Sequence, residues 1–347
     1  MFVKDRYKLS FITVFLIASI IMYIYFLNVL LMKFRILCTC LFFSFYFNSC
    51  QTAEKVTIDE KALLENIKTL ASDSFEGRGF SKPGNYRAQK FIASKFKELG
   101  LNTYLESGYI QKFPHTFKGK SRQRFFPVKD TLKILDTTVI GGNVIAKIKG
   151  QSEKAIVITG HLDHLGIRNG KIYNGADDDA SGAAALITIA NYFKDKSPKH
   201  TLIFAAVDAE EIGSHGCEYF VANFPSAKEK IALNINMDMI AHNDSLQLYA
   251  SGLHHYPQLK KPLENIDAPI TLLFGHDAPK QAKDDWTFSS DHRIFHKRKI
   301  PFIYFGVEDH KDYHKATDTF ENINQKFYVE AVKLIIQTIN NYDSFLE

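Results

Sequence analysis

The chain has 347 residues, of which 46% are apolar and 13% aromatic, and it carries 43 basic against 38 acidic side chains. The first fifty residues hold five of the basic residues and one of the acidic ones, so residues 51–347 have a formal net charge of only +1. This balance gives no support to a nucleic-acid-binding domain, and the apolar content excludes a disordered chain.

Two apolar segments open the chain. The first, Phe11 to Leu31, contains no charged side chain and is long enough to cross a bilayer as a helix. The second has a basic start at Met32–Arg35 and an apolar stretch at 36–47 that is too short to span. This second segment resembles a bacterial lipoprotein signal, which implies that Cys50 is lipidated and becomes the mature N-terminus.

We therefore predict a leader at 1–50, in which translation starts at Met32 and residues 1–31 lie upstream of the true start. A tether at 51–58 and a single domain at 59–347 follow. The alternative is an uncleaved anchor helix at 11–31. Either arrangement holds the domain to a membrane outside the cytoplasm, in the periplasm or on the surface of a bacterium. Cys217 is the single cysteine of the predicted domain, so we expect neither a disulfide framework nor a cysteine-rich zinc cluster.

Apolar periodicities of the helix and strand types alternate along the domain, which predicts an α/β fold. Several predicted strands are apolar on both faces, as in a largely parallel sheet covered by helices. The irregular stretch 101–141 carries a basic patch from Lys118 to Arg124, which we interpret as a solvated hairpin tip. Helices are predicted at about 59–71, 83–99, 180–195, 214–223 and 324–345, and strands at 143–148, 155–159, 202–207, 231–237 and 301–305.

Histidine, aspartate and glutamate side chains follow the predicted strands. Ligands of open α/β sheets bind outside the carboxyl ends of the strands, so we expect these side chains to converge. A run of three aspartates also stands directly before the helix at 180–195. The residues concerned are His161 and Asp163, Asp177–Asp179, Glu210 and Glu211, Asp238, and Tyr313 and His314.

Taken alone, each group has an ordinary explanation, such as a hydrogen-bonded loop histidine, a helix cap or a solvated turn. Together they do not, because carboxylates at the ends of apolar strands repel one another and lose solvation unless cations compensate them. Two histidines with three carboxylates form a mixed nitrogen and oxygen donor set that suits zinc. A bridging carboxylate would let this cluster hold two ions.

These motifs resemble those of the co-catalytic zinc aminopeptidases, a family related to glutamate carboxypeptidase-type and glutaminyl cyclase-type enzymes. The resemblance covers residues 56–347. It implies a three-layer α/β/α fold with a central mixed, largely parallel sheet, and two zinc ions per chain. The motifs that carry it are 70–73, 76–79, 143–146, 160–166, 175–182, 210–211, 290–292 and 313–314.

The resemblance also implies a role for each matching position. His161 and Asp238 would bind one metal, Glu211 and His314 the other, and Asp178 would bridge them, with a cis peptide bond to Asp179. Glu210 would be the general base. We expect Asp163 to orient a metal-bound histidine, and Arg78 to be a structural loop residue. Further supporting or pocket residues are predicted at Asp179, Asp291, His292 and Tyr313.

The predicted reaction is hydrolysis of the N-terminal peptide bond of peptides by a metal-activated water. A glutaminyl cyclase-like enzyme would carry a tryptophan-containing segment after the glutamate pair, whereas Ile212–Cys217 follows here and the one tryptophan is Trp286. Carboxypeptidase or dipeptidase action on the same fold stays open. A non-catalytic binding lipoprotein would be expected to have lost Glu210 or a ligand. We expect residues 253–288 to form much of the pocket rim.

Overall fold

The computed structural model describes residues 14–34, 55–119, 136–224, 230–264, 266–279 and 284–347. It divides into two compact units, Met1–Lys55 and Val56–Glu347. The lipidation residue Cys50, residues 36–47 of the predicted signal segment and tether residues 51–54 lie outside the described residues. So do residues 120–124 of the predicted basic patch.

In the first unit, helix α1 spans Val14–Phe34 and is long and apolar enough to cross a membrane. It overlaps the uncharged run predicted at 11–31 and continues through Met32 to Phe34. Nearly all of its side chains are exposed, which is consistent with a signal peptide or a membrane anchor.

In the second unit, three helices begin at residues suited to a helix start. The Asp59 carboxylate accepts a hydrogen bond from the Ala62 backbone N–H, and the Asn324 side chain accepts one from Phe327. Pro83 occupies the first position of its helix, where its missing N–H costs nothing. The helices are α2 (Glu60–Leu70), α3 (Pro83–Glu98), α4 (Ser181–Phe193), α5 (His215–Ala222), α6 (His292–Lys297) and α7 (Gln325–Phe345), with short 3₁₀ turns at Asp73–Arg78, Pro257–Leu259 and Lys261–Leu263.

The strands of the described residues form one mixed sheet and one hairpin. Within the sheet, the neighbouring strands β7, β4, β8 and β11 are all parallel, so their carboxyl ends lie along one edge. The sheet order is β1-β3-β7-β4-β8-β11-β9-β10 with β2 on β3, and the hairpin is β5-β6. The strands are β1 (Asn102–Thr103), β2 (Ile110–Phe117), β3 (Thr137–Ile148), β4 (Lys154–His161), β5 (Gly166–Arg168), β6 (Lys171–Tyr173), β7 (Thr201–Val207), β8 (Lys230–Met237), β9 (Gln247–Ser251), β10 (Thr271–Phe274) and β11 (Phe302–Gly306).

The central strands are apolar on both faces because helices cover both sides. On one face, Ile156 and Ile158 of β4 pack in the core shared with α2, α3, α4 and α7. On the other, Ala155 and Val157 pack with residues of α5 and α6. This alternation follows from the two-residue period of a strand. The expected three-layer α/β/α fold with a mixed sheet is therefore confirmed.

All five predicted helices and all five predicted strands are present. The strand predicted at 143–148 is longer and begins at Thr137, because residues 137–144 pair with β2. The structure adds strands that were not predicted: β1 and β2 in the irregular stretch 101–141, the hairpin strands β5 and β6, and the sheet strands β9 and β10. Strands β9 and β10 are both short, and β10 is an edge strand whose Thr271 and Phe274 are exposed, so neither shows a buried apolar run.

Candidate metal centre

The parallel strands bring the predicted donors to one edge of the sheet. Thr159 of β4 pairs with Asn236 of β8, so His161 and Asp238, each two residues further along, emerge side by side. The Nε2 atom of His161 lies 3.4 Å from Oδ1 of Asp238. His161 is only 1% exposed, and its Nδ1 atom lies 2.9 Å from the backbone oxygen of Asp163. That contact assigns the proton to Nδ1 and leaves Nε2 facing the carboxylates.

Asp178 lies between two histidines. Its Oδ1 atom is 3.1 Å from Nε2 of His161, and its Oδ2 atom is 3.1 Å from Nε2 of His314. The peptide bond between Asp178 and Asp179 is cis, as the resemblance implied. Because the two oxygens face donors on opposite sides, this carboxylate has the arrangement required of a bridging ligand.

Glu211 and His314 form the second side of the cluster, together with a residue that the sequence analysis did not assign. Oε2 of Glu211 is 3.7 Å from Nε2 of His314, and its Oε1 is 2.7 Å from Nδ1 of His164. His164 also approaches Oδ2 of Asp178, at 3.6 Å. His164 stands inside the quoted 160–166 motif, so the missed signal was a second histidine three residues after His161.

The donor atoms fit a bound cation better than they fit one another. Both ring nitrogens of His164 and Oε1 of Glu211 are buried without a hydrogen bond, although His164 and Glu211 are close. Buried polar atoms of this kind are rare in folded proteins unless another group satisfies them. Two groups of three residues at this site could each hold a metal ion. Within each group, one donor atom from each residue lies within 4.8 Å of the donor atoms of the other two. The groups are His161, Asp179 and Asp238, and His164, Asp178 and Glu211.

The histidines and carboxylates of the cluster shift one another's pKa values. Burial acts to lower the pKa of His161, but the negative charge of Asp238 and the contacts with Asp163 and Asp178 outweigh burial and raise it well above the usual value. Burial acts to raise the pKa of Asp178, yet His164, His161 and His314 hold it well below its usual value. The Asp178 carboxylate is therefore ionised, the form that binds a cation.

Two buried carboxylates accept hydrogen bonds from the backbone of the loops that form the site. Asp179 accepts hydrogen bonds from the backbone N–H groups of His161, at 2.9 Å, and Gly182, at 2.8 Å. Asp318 accepts the backbone N–H groups of Asp177, at 2.9 Å, and Asp178, at 3.1 Å. These contacts fix the loop of aspartates against the end of β4 and make Asp179 mainly a support for the backbone.

Asp163 contacts His161 and also holds the glutamate pair. Its backbone oxygen lies 2.9 Å from Nδ1 of His161, and its carboxylate Oδ1 lies 3.7 Å from the same atom. The carboxylate also accepts the backbone N–H groups of Glu210, at 3.0 Å, and Glu211, at 3.3 Å. Asp163 therefore connects the loop after β4 to the glutamate pair after β7.

Glu210 lies beside the cluster, half-buried among acidic side chains. Burial raises its pKa well above the usual value, and the charges of Asp291, Asp238 and Glu211 add to this effect against the opposing charge of His161. Ala209, directly before Glu210, has a φ of 62°. Met239, directly after Asp238, has the same φ, and His314 itself has a φ of 54°. Such left-handed backbone costs roughly 1 kcal/mol or more in residues other than glycine and clusters at functional sites.

The remaining predicted residues occupy two different positions. Tyr313 stacks on His314 with ring centroids 4.0 Å apart, so it borders the cluster directly. Asp291 and His292 are fully buried beneath the site. Burial raises the pKa of Asp291 to about 7 and lowers that of His292 to about 3. The Nε2–H of His292 donates to the backbone oxygen of Trp286, at 2.8 Å.

Arg78 is fully buried and donates to four backbone carbonyls. Its acceptors are Leu70 and Leu162, both at 2.9 Å, Asn174 at 2.6 Å and Gly175 at 2.8 Å. Three of these carbonyls, those of Leu162, Asn174 and Gly175, belong to the loops next to His161 and Asp178. Arg78 thus has the structural loop position that the sequence analysis proposed for it, with its donors occupied by the protein itself.

Comparison with known proteins gives one family match. Residues 143–339, more than half of the chain, match Peptidase family M28. A "Probable zinc metalloprotease" of Pyrenophora teres f. teres is 28% identical over 195 residues, which cover 54% of this chain and 38% of that protein. The chain spans less than two thirds of the length of such curated relatives.

Two solved structures illustrate the similarity of fold. BSAP, a zinc aminopeptidase from Bacillus subtilis, superposes with a TM-score of 0.63 at 16% identity, covering 84% of this chain and 96% of that one. The glutaminyl cyclase of Porphyromonas gingivalis superposes with a TM-score of 0.60 at 15% identity, covering 81% and 98%. At these identities, the similarity to both structures shows the fold alone.

Proposed function

The chain belongs to peptidase family M28, and on that basis we propose that it is a zinc-dependent exopeptidase that hydrolyses the N-terminal peptide bond of peptides. The observation that carries this proposal is the position of Asp178, whose two carboxylate oxygens lie 3.1 Å from histidines on opposite sides of the cluster. A carboxylate flanked in this way can bridge two neighbouring zinc ions.

In this proposal the two zinc ions share Asp178. His161 and Asp238 would complete one site, and Glu211 and His314 the other, with His164 close to the second set. Zinc bound there would polarise the scissile carbonyl and lower the pKa of a water molecule toward neutrality.

Glu210 is the proposed general base. Its side chain is next in sequence to a ligand, while the carboxylate of Asp163 holds the backbone of both glutamates. Glu210 would take a proton from the attacking water and deliver it to the leaving amine. A carboxylate whose pKa is raised by burial suits both steps, because it must first accept the proton and then release it.

We also propose that the domain works outside the cytoplasm, held to a membrane. The apolar helix Val14–Phe34 supports membrane targeting, and the lipoprotein-like segment with Cys50 supports lipid anchoring. Mass spectrometry of the mature N-terminus tests this proposal. A lipidated Cys50 is the expected result, and an intact N-terminus upstream of residue 50 would contradict lipid anchoring and favour the uncleaved anchor helix at 11–31.

The enzymatic proposal is tested on purified protein with three peptides that differ at the N-terminus: a free one, an N-acetylated one and one that begins with glutamine. Zinc content is measured in parallel. We expect release of the first residue from free peptides only, and loss of that activity on chelation. Equal cleavage of the acetylated peptide would contradict aminopeptidase action, and ammonia release from the glutamine peptide would favour a glutaminyl cyclase.

A further inference from the structure

A cavity of about 580 Å³ opens beside the candidate metal centre, between the loop that precedes α3 and the β5-β6 hairpin. We name it the hairpin pocket. Its walls include Phe80 and Lys82 from the loop, Phe117 at the end of β2, and Arg168 from the hairpin. Its volume falls within the range of small-molecule binding sites.

The hairpin pocket reaches the centre itself. His164 and Glu211 both line it, and they lie 2.7 Å apart on the side of the cluster that faces Asp178 and His314. A peptide whose scissile bond lies at the cluster would therefore place a neighbouring part of its chain in this pocket.

The pocket is preformed because its two walls touch. A Cβ atom added to Gly79 would lie 3.0 Å from Cα of Gly166, so a side chain larger than hydrogen would push the hairpin away from the loop. The hairpin turns at Asn169 and Gly170, which both have positive φ, as a tight two-residue turn requires. Arg168 is the last residue before this turn and is thus held on a rigid element.

The charged side chains that line the pocket differ in their partners. Glu76 also lines it, but its carboxylate pairs with Arg87 at 3.0 Å. Glu211 belongs to the proposed metal ligands. In the part of the chain that the structure describes, no carboxylate lies within ion-pair distance of Arg168. Its Nε–H donates to the Leu165 backbone oxygen at 3.2 Å, which orients the guanidinium without neutralising it.

Lys82 lines the opposite wall. Partial burial lowers the pKa of its ammonium group. The phenylalanine rings that line the pocket offer apolar contact but no negative charge. A ligand that carries both a carboxylate and an aliphatic or aromatic stem would match these walls.

We propose that the hairpin pocket is a substrate subsite that binds a carboxylate of the peptide through the guanidinium of Arg168. Arginine suits this task because its planar donors match the two oxygens of a carboxylate. The carboxylate is either the C-terminus of a short peptide or the side chain of an acidic residue next to the scissile bond. This inference rests on the proposed peptidase function.

The test compares peptide pairs that differ only in one carboxylate. Ala-Ala against its C-terminal amide examines the terminal carboxylate. Glu-Ala-amide against Gln-Ala-amide, and Ala-Glu-amide against Ala-Gln-amide, examine acidic side chains on either side of the bond. We expect the acidic member of at least one pair to have a kcat/KM about tenfold higher, mainly through KM, since a charge-assisted contact contributes about this much.

Substitution of Arg168 then tests whether this residue causes the preference for carboxylate peptides. In Arg168→Gln, we expect the favoured carboxylate peptide to fall to the kcat/KM of its neutral partner. Lys171→Gln is the matched control, because Lys171 pairs with Arg168 across the same hairpin but does not line the pocket. The control should keep the wild-type ratio of kcat/KM between the acidic and the neutral peptide of the pair. A wild-type ratio near one for every pair would overturn the proposal. So would a ratio that stays at the wild-type value in Arg168→Gln.

Calorimetric titration with the same peptides separates this proposal from the proposed function. If no peptide is hydrolysed, the peptidase assignment is wrong. The titration still shows whether the wild-type protein binds carboxylate peptides more tightly than amides, and whether Arg168→Gln removes the difference. Equal binding of the two members of every pair would overturn the carboxylate subsite whatever the hydrolysis result.

Discussion

The carboxylate of Asp163 accepts a hydrogen bond from the backbone N–H of Glu210 at 3.0 Å, and so joins the loop after β4 to the loop after β7. The same carboxylate accepts the N–H of Glu211 at 3.3 Å. In this way one buried side chain sets the positions of the proposed base and of the ligand next to it.

Asp163→Asn should therefore lower activity more than stability. An amide can accept one of these hydrogen bonds but points donors at the other N–H. We expect kcat/KM to fall roughly 10- to 100-fold, as for other residues that support metal ligands. Asp343→Asn is the matched control, since Asp343 also accepts two backbone N–H groups, from Lys199 and His200, far from the centre. Peptidase assays and thermal melts of both variants check this. Equal kcat/KM losses in the two would contradict the positioning role.

Substitutions of the two neighbouring glutamates should have different effects on turnover and on zinc content. Glu210→Gln keeps the size of the side chain but cannot take up a proton, so we expect turnover to fall by about 10²- to 10⁴-fold with zinc content near that of the wild type. Glu211→Gln should instead lose zinc. Metal analysis beside kinetics separates the two results. A Glu210→Gln protein that remains active would show that the base is another group.

Arg78→Lys should destabilise the whole domain. A lysine cannot reach the four carbonyls that Arg78 satisfies, and it would leave buried acceptors without donors. We expect the free energy of unfolding to fall by about 3 kcal/mol or more. Arg87→Lys alters an exposed ion pair with Glu76 and should cost less than about 1 kcal/mol. Urea unfolding of both variants measures the contrast, and similar costs would refute the structural role of Arg78.

His292 should make the domain less stable in acid. Burial lowers its pKa to about 3 in the folded state, whereas the unfolded chain keeps a value near 6.5. As the pH falls below 6.5, the unfolded state binds a proton that the folded state does not, so the contribution of this residue to stability falls. From pH 8 to pH 5 the loss is about 2 kcal/mol.

His292→Gln removes this titration and keeps an N–H donor for the Trp286 oxygen. Urea unfolding at both pH values should show a smaller acid loss than in the wild type, by about 2 kcal/mol. His254→Gln, at an exposed histidine, should retain the wild-type pH dependence. If His292→Gln also retains it, His292 is not the group responsible.

The fold and the positions of the main donors could be predicted because both depend on strong local patterns. Strands β4, β7, β8 and β11 are apolar runs that end at polar residues, and parallel pairing places those ends together. The cis bond after Asp178 was expected from the resemblance alone. The contact of Asp163 with the backbone of Glu210 and Glu211 was not predicted, because it depends on how the loops after β4 and β7 meet.

Other features depend on contacts between distant segments and could not be read from local patterns. His164 lies in a motif that the sequence analysis quoted, but its approach to Glu211 appears only when β4 and β7 pair. The hairpin pocket combines Phe80, Phe117 and Arg168 from three parts of the chain. Strand β10 is half exposed, so nothing in its sequence distinguishes it from a loop.

The order of the central strands has a consequence for how the protein matures. The proposed ligands begin at His161 and end at His314, on loops whose strands must all be paired before the donors meet. No partial chain that lacks β11 and the loop after it can present the complete set. Zinc capture would therefore be a late event that reports on long-range assembly of the sheet, and the rate of zinc uptake during refolding would follow the slowest of these non-local pairings.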